Sequence, residues 1–377
     1  MGIYIHVPFC VSRCSCCHFV THRWSPRLAE RYADAVRSEI SMAAGHVDRK
    51  RTVDSIYFGG GTPSLLRTGL VSRTLAAIGR WFDIADGCEV SIEANPETIT
   101  REKAESYLRL GINRVSVGVQ SFVEDELRGV GRRHSAGQAK ECISVLRRAG
   151  FLNINLDLML GLPGQTRRRW KHTVETAMRI APSHVSVYML DIDDPKARLH
   201  REVRSGQCVL PDDDLIADLY AESIEWLSGA GLLQYEISNF ADPGRECRHN
   251  LKYWTCRPVL GFGVSSHSFD GAARIANVSS LQDYLRSVEA GRSPEETRTH
   301  LDARQALEET LFLGLRLNRG VDLNELKARD GKGILAEFES VLDEMSRRGL
   351  VENVGRTVRL TGRGRLLANE VFSSLLR

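Results

Sequence analysis

The chain has 377 residues, and at about 100–200 residues per domain this length favours two domains over one or four. A hydrophobic fraction of 42% excludes a disordered chain, a collagen-like repeat and a disulfide-packed miniprotein. The 51 basic and 48 acidic residues leave a net charge of +3, so we expect no nucleic-acid partner.

The first two-thirds of the chain alternates short β-type runs with amphipathic helical patterns. The predicted strands lie at 2–6, 55–59, 89–94, 114–118, 151–159 and 184–189. The predicted helices lie at about 27–44, 64–80, 100–110, 136–149 and 166–179. Six such repeats indicate an α/β fold with parallel strands and right-handed crossovers, as an open sheet or a full or partial β/α barrel.

Beyond about residue 190 the periodicity weakens, and we expect a helix at 213–230 followed by an irregular stretch to about 290. The tail predicts helices at 301–317, 333–348 and 362–376, with a hairpin of 350–354 and 357–360 around Gly355. This order predicts a small winged-helix-like module that serves packing rather than DNA binding. We therefore divide the chain into a barrel (1–235), a linking segment (236–300) and a C-terminal domain (301–377).

Polar, glycine-rich or cysteine residues follow five consecutive predicted strands, where catalytic groups gather in β/α folds. These strand ends carry Cys10, the tract Gly59-Gly60-Gly61-Thr62, Glu93, Gln120 and Asp157. One such end would mean little, but five in a row predict a single shared site.

Nine cysteines are present, and four of them, Cys10, Cys14, Cys16 and Cys17, fall within a short segment. The opening residues lack the features of a signal peptide, and no run approaches the about 18 apolar residues of a membrane span. An odd number of cysteines in such a chain indicates a reducing compartment and metal or redox use. We therefore expect a cytoplasmic protein without a transmembrane segment.

Cys10, Cys14 and Cys17 form a C-x3-C-x2-C pattern directly after the first strand. Three thiolates can hold three irons of a [4Fe–4S] cluster and leave the fourth iron open to a small molecule. The alternative is a structural zinc site that recruits Cys16, His18 or His22. No second ligand pair is evident in the sequence, which favours the cluster.

This pattern at the first strand of a β/α barrel resembles the radical S-adenosylmethionine (SAM) superfamily. The wider run Tyr4-Ile-His6-Val-Pro-Phe-Cys10 resembles the branch that contains oxygen-independent coproporphyrinogen III oxidase and the heme chaperones. Further matches occur in the same order: Tyr57-Phe-Gly-Gly-Gly-Thr-Pro-Ser64, Glu93-Ala-Asn-Pro96, Ser116-Val-Gly-Val-Gln-Ser121, Asp157-Leu-Met-Leu-Gly-Leu-Pro-Gly-Gln-Thr166, Tyr235-Glu-Ile-Ser-Asn-Phe240, Cys247-Arg-His-Asn-Leu-Lys-Tyr-Trp254 and Gly261-Phe-Gly263.

The resemblance implies that the cysteine triplet binds the cluster and that the open iron chelates SAM. It implies SAM contacts at Tyr4, Gly60, Gly61, Thr62, Glu93, Gln120, Arg132 and Asp157. Taken alone, several of these residues have ordinary structural explanations, such as a tight turn for the glycine tract and a solvated surface for Arg132.

Cys16 departs from the pattern of the resembling proteins, which usually carry an aromatic residue there. The thiol is either an alternative ligand or a small buried residue, and we favour the small residue.

The segment His249-Asn250-x-x-Tyr253-Trp254 resembles the signature of the heme chaperones. Imidazole is a usual heme ligand, and the aromatic rings supply flat apolar surface for a macrocycle. Cys247 and Cys256 flank the segment and are alternative thiolate ligands; a structural role with capping and core aromatics also remains open.

The resemblance implies a heme chaperone with heme as cargo and heme-acceptor proteins as partners. The oxidase carries about fifty residues before its first cluster cysteine and a fourth cysteine where this chain has Phe19. An oxidase of porphyrin biosynthesis and another radical SAM enzyme, such as a methyltransferase, are the alternatives. A homodimer and a peripheral membrane contact are left open by the sequence.

Overall fold

The computed structural model describes residues 1–17, 19–44, 51–195, 197–329 and 333–376. The first part of the chain contains β1 (Gly2–Val7), β2 (Phe9–Cys10), β3 (His22–Arg23), α1 (Pro26–Ala44), β4 (Thr52–Gly60), α2 (Thr68–Trp81), β5 (Asp83–Ala94), α3 (Arg101–Arg109), β6 (Arg114–Gln120), α4 (Glu124–Gly129), α5 (Ala136–Ala149), β7 (Asn153–Leu160), α6 (Arg167–Ile180) and β8 (His184–Met189).

The six predicted strands correspond to β1, β4, β5, β6, β7 and β8, which are neighbours in one sheet in that order. All five pairings between them are parallel, as helical crossovers require. The strands that the structure describes in this sheet have a linear order and do not close into a ring, as expected for a partial barrel. The predicted α/β fold class is confirmed.

Local sequence signals fix the helices between these strands. Helix α5, for example, begins with a capping box. The Ser135 side chain accepts a hydrogen bond from the backbone amide of Gln138, and the Gln138 side chain accepts one from the backbone amide of Ser135. It ends at Gly150, whose φ of +114° is a conformation that glycine adopts without strain.

The two faces of the sheet differ in character because successive side chains of a strand point to opposite sides. One face is apolar and packs against the helices, with Ile3, Ile56, Val115 and Leu156 fully buried. The opposite face carries buried or half-buried polar side chains, several of which hydrogen-bond across neighbouring strands. These side chains include Ser55, Tyr57, Glu93, Arg114, Ser116, Asn155, Asp157, His184 and Ser186. The barrel interior is therefore polar, and the main hydrophobic core lies between the sheet and the helices.

The middle of the chain contains α7 (Arg198–Arg204), α8 (Asp213–Gly229), β9 (Leu233–Glu236), β10 (Asn239–Ala241), α9 (Arg248–Trp254), β11 (Val259–Phe262), β12 (His267–Phe269), β13 (Ala273–Asn277), α10 (Leu281–Glu289) and β14 (Glu295–His300). The expectation of an irregular stretch to about residue 290 is therefore wrong. Strand β11 pairs in parallel with β1, and β12–β14 continue the sheet in antiparallel fashion. Phe262, Val264 and Tyr284 join the same core as the barrel strands.

The C-terminal part contains α11 (Ala303–Gly314), β15 (Val321–Asp322), α12 (Leu323–Arg329), α13 (Leu335–Arg347), β16 (Val351–Val354), β17 (Thr357–Leu360), α14 (Gly362–Leu366) and α15 (Ala368–Leu375). It has its own apolar core, and the hairpin lies where the sequence predicts it. Three details differ from the prediction: α12 is an additional helix, β15 adds a third strand to the hairpin, and the last helix is interrupted at Leu367. No helix in the described ranges is long and apolar enough to cross a membrane.

Candidate cofactor site at the mouth of the barrel

The cysteine loop leaves the carboxyl end of β1 and is held at its base by a short parallel pairing. In this pairing Phe9 lies opposite His22 and Cys10 lies opposite Arg23. The loop is also held at its tip, because the Ser15 amide donates to the Val130 carbonyl at 3.1 Å. The loop is thus anchored on the barrel before any cofactor is considered.

The glycine tract at the end of β4 allows the cysteine loop to approach closely. A Cβ atom added at Gly61 would lie 2.8 Å from the Phe9 carbonyl oxygen and 3.1 Å from the Cys10 sulfur. At Gly60, where φ is +113°, it would lie 2.6 Å from the His6 ring. Only glycine fits at these two positions, and this explains the tract without a phosphate-binding role.

Two of the predicted cluster ligands are connected through hydrogen bonds between side chains. Thr62 Oγ1 lies 3.4 Å from Cys10 Sγ and accepts from Asn95 Nδ2 at 3.2 Å. Asn95 Oδ1 accepts from Arg132 Nη2 at 2.8 Å, and Arg132 Nη1 donates to Cys14 Sγ at 3.7 Å. The predicted residues Thr62 and Arg132 therefore lie beside the cysteines. Asn95, which the sequence analysis did not single out, joins them.

Glu93 and Asp157 bring two carboxyl groups into the same interior. Glu93 accepts from the Tyr57 hydroxyl and from the Gly60 amide, each at 3.0 Å, while Asp157 accepts from Ser116 at 2.9 Å. Burial, with a further contribution from the charge of Asp157, raises the pKa of Glu93 to about 7. Burial likewise raises the pKa of Asp157. The pair can accept hydrogen bonds from a ligand with amino or hydroxyl groups.

Gln120 has two features that are rare in a side chain with only a structural role. Its φ of +66° lies in the left-handed region, where a residue with a Cβ is strained. Its Oε1 atom is buried and has no hydrogen-bond partner. Because an unsatisfied buried acceptor costs free energy, both features are typical of a residue held in place for a ligand.

Tyr4 lies deeper in the barrel than the glycine tract. Its hydroxyl is 3.2 Å from His6 Nδ1, and its ring stacks on Tyr57 with the centroids 6.2 Å apart. Burial raises the pKa of Tyr4 well above its usual value, so the phenol stays protonated. This position supports the wall of the site rather than its rim.

The three cysteine sulfurs and the polar groups around them fit an iron–sulfur cluster with a nucleoside ligand. Burial raises the pKa of the Cys10 and Cys17 thiols, so metal binding must displace protons from them. Each cysteine would bind a different iron, so the thiolates need not converge on one point. In the described parts of the chain, no three His, Cys, Asp or Glu side chains are grouped to hold a single metal ion.

The residues that the alternative zinc site would recruit have different surroundings from the cluster ligands. Cys16 packs against a small apolar cluster formed by Val130, Leu162 and Leu199. Burial raises the pKa of its thiol to about 11, which disfavours the thiolate. This placement is that of a small apolar residue, which is the role we favour from the sequence. His18 lies outside the described residues.

The segment predicted to hold heme forms α9, at the end of the barrel opposite the cysteine loop. His249 is buried and both of its ring nitrogens are engaged, Nδ1 with Ser55 Oγ at 3.0 Å and Nε2 with the Tyr253 hydroxyl at 3.1 Å. Burial lowers the pKa of His249 to about 3, so the ring is neutral. Its imidazole also stacks on Tyr57 at 5.2 Å. In this conformation His249 offers no free nitrogen to a metal.

The rest of α9 lies closer to the surface, where it meets the C-terminal domain. Asn250, Tyr253 and Trp254 are half-buried. The Arg316 guanidinium lies 4.3 Å from the centre of a Trp254 ring, and Trp254 Nε1 is buried without a hydrogen-bond partner. Cys247, one of the alternative thiolate ligands, is fully buried.

The parallel barrel, the cysteine loop and the C-terminal helical module together define a class of protein. A family model described as the radical SAM superfamily matches residues 4–177, and one described as the HemN C-terminal domain matches residues 301–367. The first match spans the cysteine loop, the glycine tract and both carboxylates. Membership of this superfamily generally implies a [4Fe–4S] cluster and SAM.

Comparison with individual proteins narrows the class. The heme chaperone HemW of Bacillus subtilis is 34% identical to this chain, over 99% of this chain and 98% of that protein. The heme chaperone HemW of Mycobacterium tuberculosis is 36% identical, over 100% and 94%. A solved structure of coproporphyrinogen III oxidase (HemN) from Escherichia coli is 24% identical, covers 99% of this chain and 89% of that chain, and superposes with a TM-score of 0.87, which shows a shared fold. The chain belongs to the HemW family.

Proposed function

We propose that this chain is a heme chaperone that binds a [4Fe–4S] cluster and SAM in the barrel mouth and carries heme to acceptor proteins. The observation that carries the proposal is the similarity of 34–36% identity along almost the whole chain to proteins named as heme chaperones. The oxidase that shares the fold is only 24% identical.

We assign the cluster to Cys10, Cys14 and Cys17, whose loop is anchored on the barrel. The SAM site is assigned to the predicted set of Tyr4, Gly60, Gly61, Thr62, Glu93, Gln120, Arg132 and Asp157. The support is geometric: a glycine tract packed directly against the cysteine loop, two buried carboxyl groups, and Gln120 with a strained backbone and an unpaired oxygen. Cluster and SAM together supply one-electron chemistry, and this chain's residues hold and orient them.

We assign heme to the surface of α9, where Asn250, Tyr253 and Trp254 are half-buried. Aromatic rings there offer apolar area to a macrocycle. Ligation of the heme iron by His249 additionally requires its ring to leave Ser55 and Tyr253. In the described conformation the aromatic side chains of this site are partly exposed, with Arg316 over one ring of Trp254, whereas the imidazole becomes available only after a local rearrangement.

An anaerobic hemin titration tests this assignment. We expect hemin to bind the wild-type chain saturably, and the change in the Soret spectrum measures this binding. Trp254→Leu and His249→Ala should bind hemin more weakly. His267→Ala is the matched control, because His267 is an exposed histidine outside α9. Unchanged spectra and affinities for the α9 variants would remove this segment from the heme site.

A further inference from the structure

Asn95 lies between two hydrogen-bond donors, each of which reaches the sulfur of a proposed cluster ligand. Its Nδ2 donates to Thr62 at 3.2 Å, and its Oδ1 accepts from Arg132 at 2.8 Å. Thr62 Oγ1 is 3.4 Å from the Cys10 sulfur, and Arg132 Nη1 is 3.7 Å from the Cys14 sulfur. Asn95 itself touches neither sulfur, so any effect it has on them passes through its two partners.

The direction of these hydrogen bonds depends on the amide of Asn95. Its NH2 group occupies a lone pair of the Thr62 oxygen, which leaves the Thr62 hydroxyl hydrogen free for the Cys10 sulfur. A metal-bound thiolate has no hydrogen to give, so the Thr62 hydroxyl must be the donor. The amide oxygen, together with the Gly118 carbonyl, fixes the plane of the Arg132 guanidinium beside Cys14.

We propose that Asn95 is a positioning residue that directs these two donors at the cluster ligands and thereby raises the reduction potential of the cluster. The inference rests on the proposed cluster site. Hydrogen bonds to ligand sulfur withdraw electron density and stabilise the reduced, more negative state, which is one way proteins set the potential of such clusters. In this reduction, the cluster gains one electron from an external reductant, and no atom or proton is transferred.

The substitution Asn95→Asp reverses one hydrogen bond while keeping the side-chain shape. A carboxylate only accepts, so it draws the Thr62 hydroxyl hydrogen away from Cys10, and it adds a negative charge near the cluster. Asn95→Ala leaves both donors without their shared partner but adds no charge. We therefore expect the midpoint potential to fall in the order wild type, Asn95→Ala, Asn95→Asp.

The experiment is a dithionite titration of the reconstituted full-length chain. Electron paramagnetic resonance measures the reduced cluster at each point, and the iron content of each sample is determined. Asn113→Ala is the control, because Asn113 donates to the Cys88 carbonyl in the middle of β5, away from the strand end that carries Asn95, and its loss should leave the potential unchanged. Thr62→Ser keeps the hydroxyl and should keep the wild-type potential, whereas Thr62→Val should lower it.

Two outcomes separate this inference from the proposed function. A wild-type chain that takes up no cluster contradicts the proposed function, and the inference fails with it. Equal midpoint potentials for wild type, Asn95→Ala and Asn95→Asp, all with full iron content, overturn the inference alone. If Asn95→Ala does not fold, Asn95→Leu takes its place in the comparison, because it also removes the amide without adding a charge.

Discussion

Glu93 accepts a hydrogen bond from the backbone amide of Gly60 at 3.0 Å, which ties the end of β5 to the glycine tract at the end of β4. Burial and the nearby Asp157 raise the pKa of Glu93 to about 7. The ionised carboxylate is the stronger hydrogen-bond acceptor for a ligand. In the proposed SAM site, protonation of Glu93 would therefore weaken ligand binding near neutral pH.

We predict that the SAM affinity of the cluster-loaded chain increases as the pH rises through about 7, because Glu93 loses its proton in this range. Glu93→Gln should flatten this pH dependence and weaken binding about tenfold or more at high pH, since a hydrogen bond to a charged group contributes about 1.5–3 kcal/mol. Anaerobic calorimetry measures both effects. Titration of SAM itself is common to the two proteins, so parallel profiles would exclude Glu93 as the group responsible.

A second prediction concerns neighbouring cysteines with different surroundings. Cys14→Ala should prevent stable assembly of a four-iron cluster, whereas Cys16→Ala should retain it, because Cys16 packs in an apolar cluster. Iron and sulfide analysis with visible absorption measures the difference. The two variants remove the same atom from positions two residues apart in one loop, so each controls for the other. Loss of the cluster from both would make Cys16 a ligand.

The third prediction follows from the buried, neutral imidazole of His249. Its pKa is about 3 in the folded protein, while the unfolded chain takes up the proton below about 6.5. The stabilising contribution of this site is therefore complete above about pH 6.5 and declines as the pH falls toward 3. His249→Gln removes this titration.

Urea unfolding of wild type and His249→Gln at two pH values tests this directly. At neutral pH the variant should be less stable, because it loses the stack on Tyr57. The free-energy gap should narrow by about 2 kcal/mol between about pH 7 and pH 5 as the wild-type chain loses stability. A gap that stays constant with pH would mean that His249 is not held neutral.

The fourth prediction concerns the contact between α9 and the C-terminal domain. The Arg316 guanidinium stacks on Trp254 at 4.3 Å and forms an ion pair with the buried Glu236 at 3.6 Å. Arg316→Ala should weaken docking of the C-terminal domain by about 2 kcal/mol, since it also leaves a buried carboxylate unpaired. Hydrogen exchange should then be faster around Leu317 and Asn318, which pair with Glu236 and Tyr235. Arg316→Lys keeps the charge and should give an intermediate effect; unchanged exchange in Arg316→Ala contradicts the prediction.

The sequence predicted the parts of the fold that have strong local periodicity. The six parallel strands and the C-terminal hairpin lie where alternation and turn residues indicate them. The middle strands were missed because they are short and carry no alternation; β14, for example, is polar and almost wholly exposed. The parallel pairing of β11 with β1 joins segments far apart in the chain, which no local pattern reveals.

The candidate site was predicted from residues that stand next to one another in the sequence or end a strand. The cysteine loop and Glu93 belong to this group. Asn95 was missed because its importance depends on Thr62 and Arg132, which reach it from two other loops. The strain at Gln120 and the engagement of both His249 ring nitrogens are likewise visible only in three dimensions.

The most direct test of the central claim measures heme binding and porphyrinogen decarboxylation in one experiment on the cluster-loaded, full-length chain. SAM, dithionite and either coproporphyrinogen III or hemin are added anaerobically, and decarboxylated porphyrinogen, 5′-deoxyadenosine and the Soret spectrum are followed. The heme-chaperone account predicts saturable hemin binding and no decarboxylation of the porphyrinogen. Porphyrinogen-dependent decarboxylation without saturable hemin binding would contradict it and would make the chain an oxidase of the type whose fold it shares.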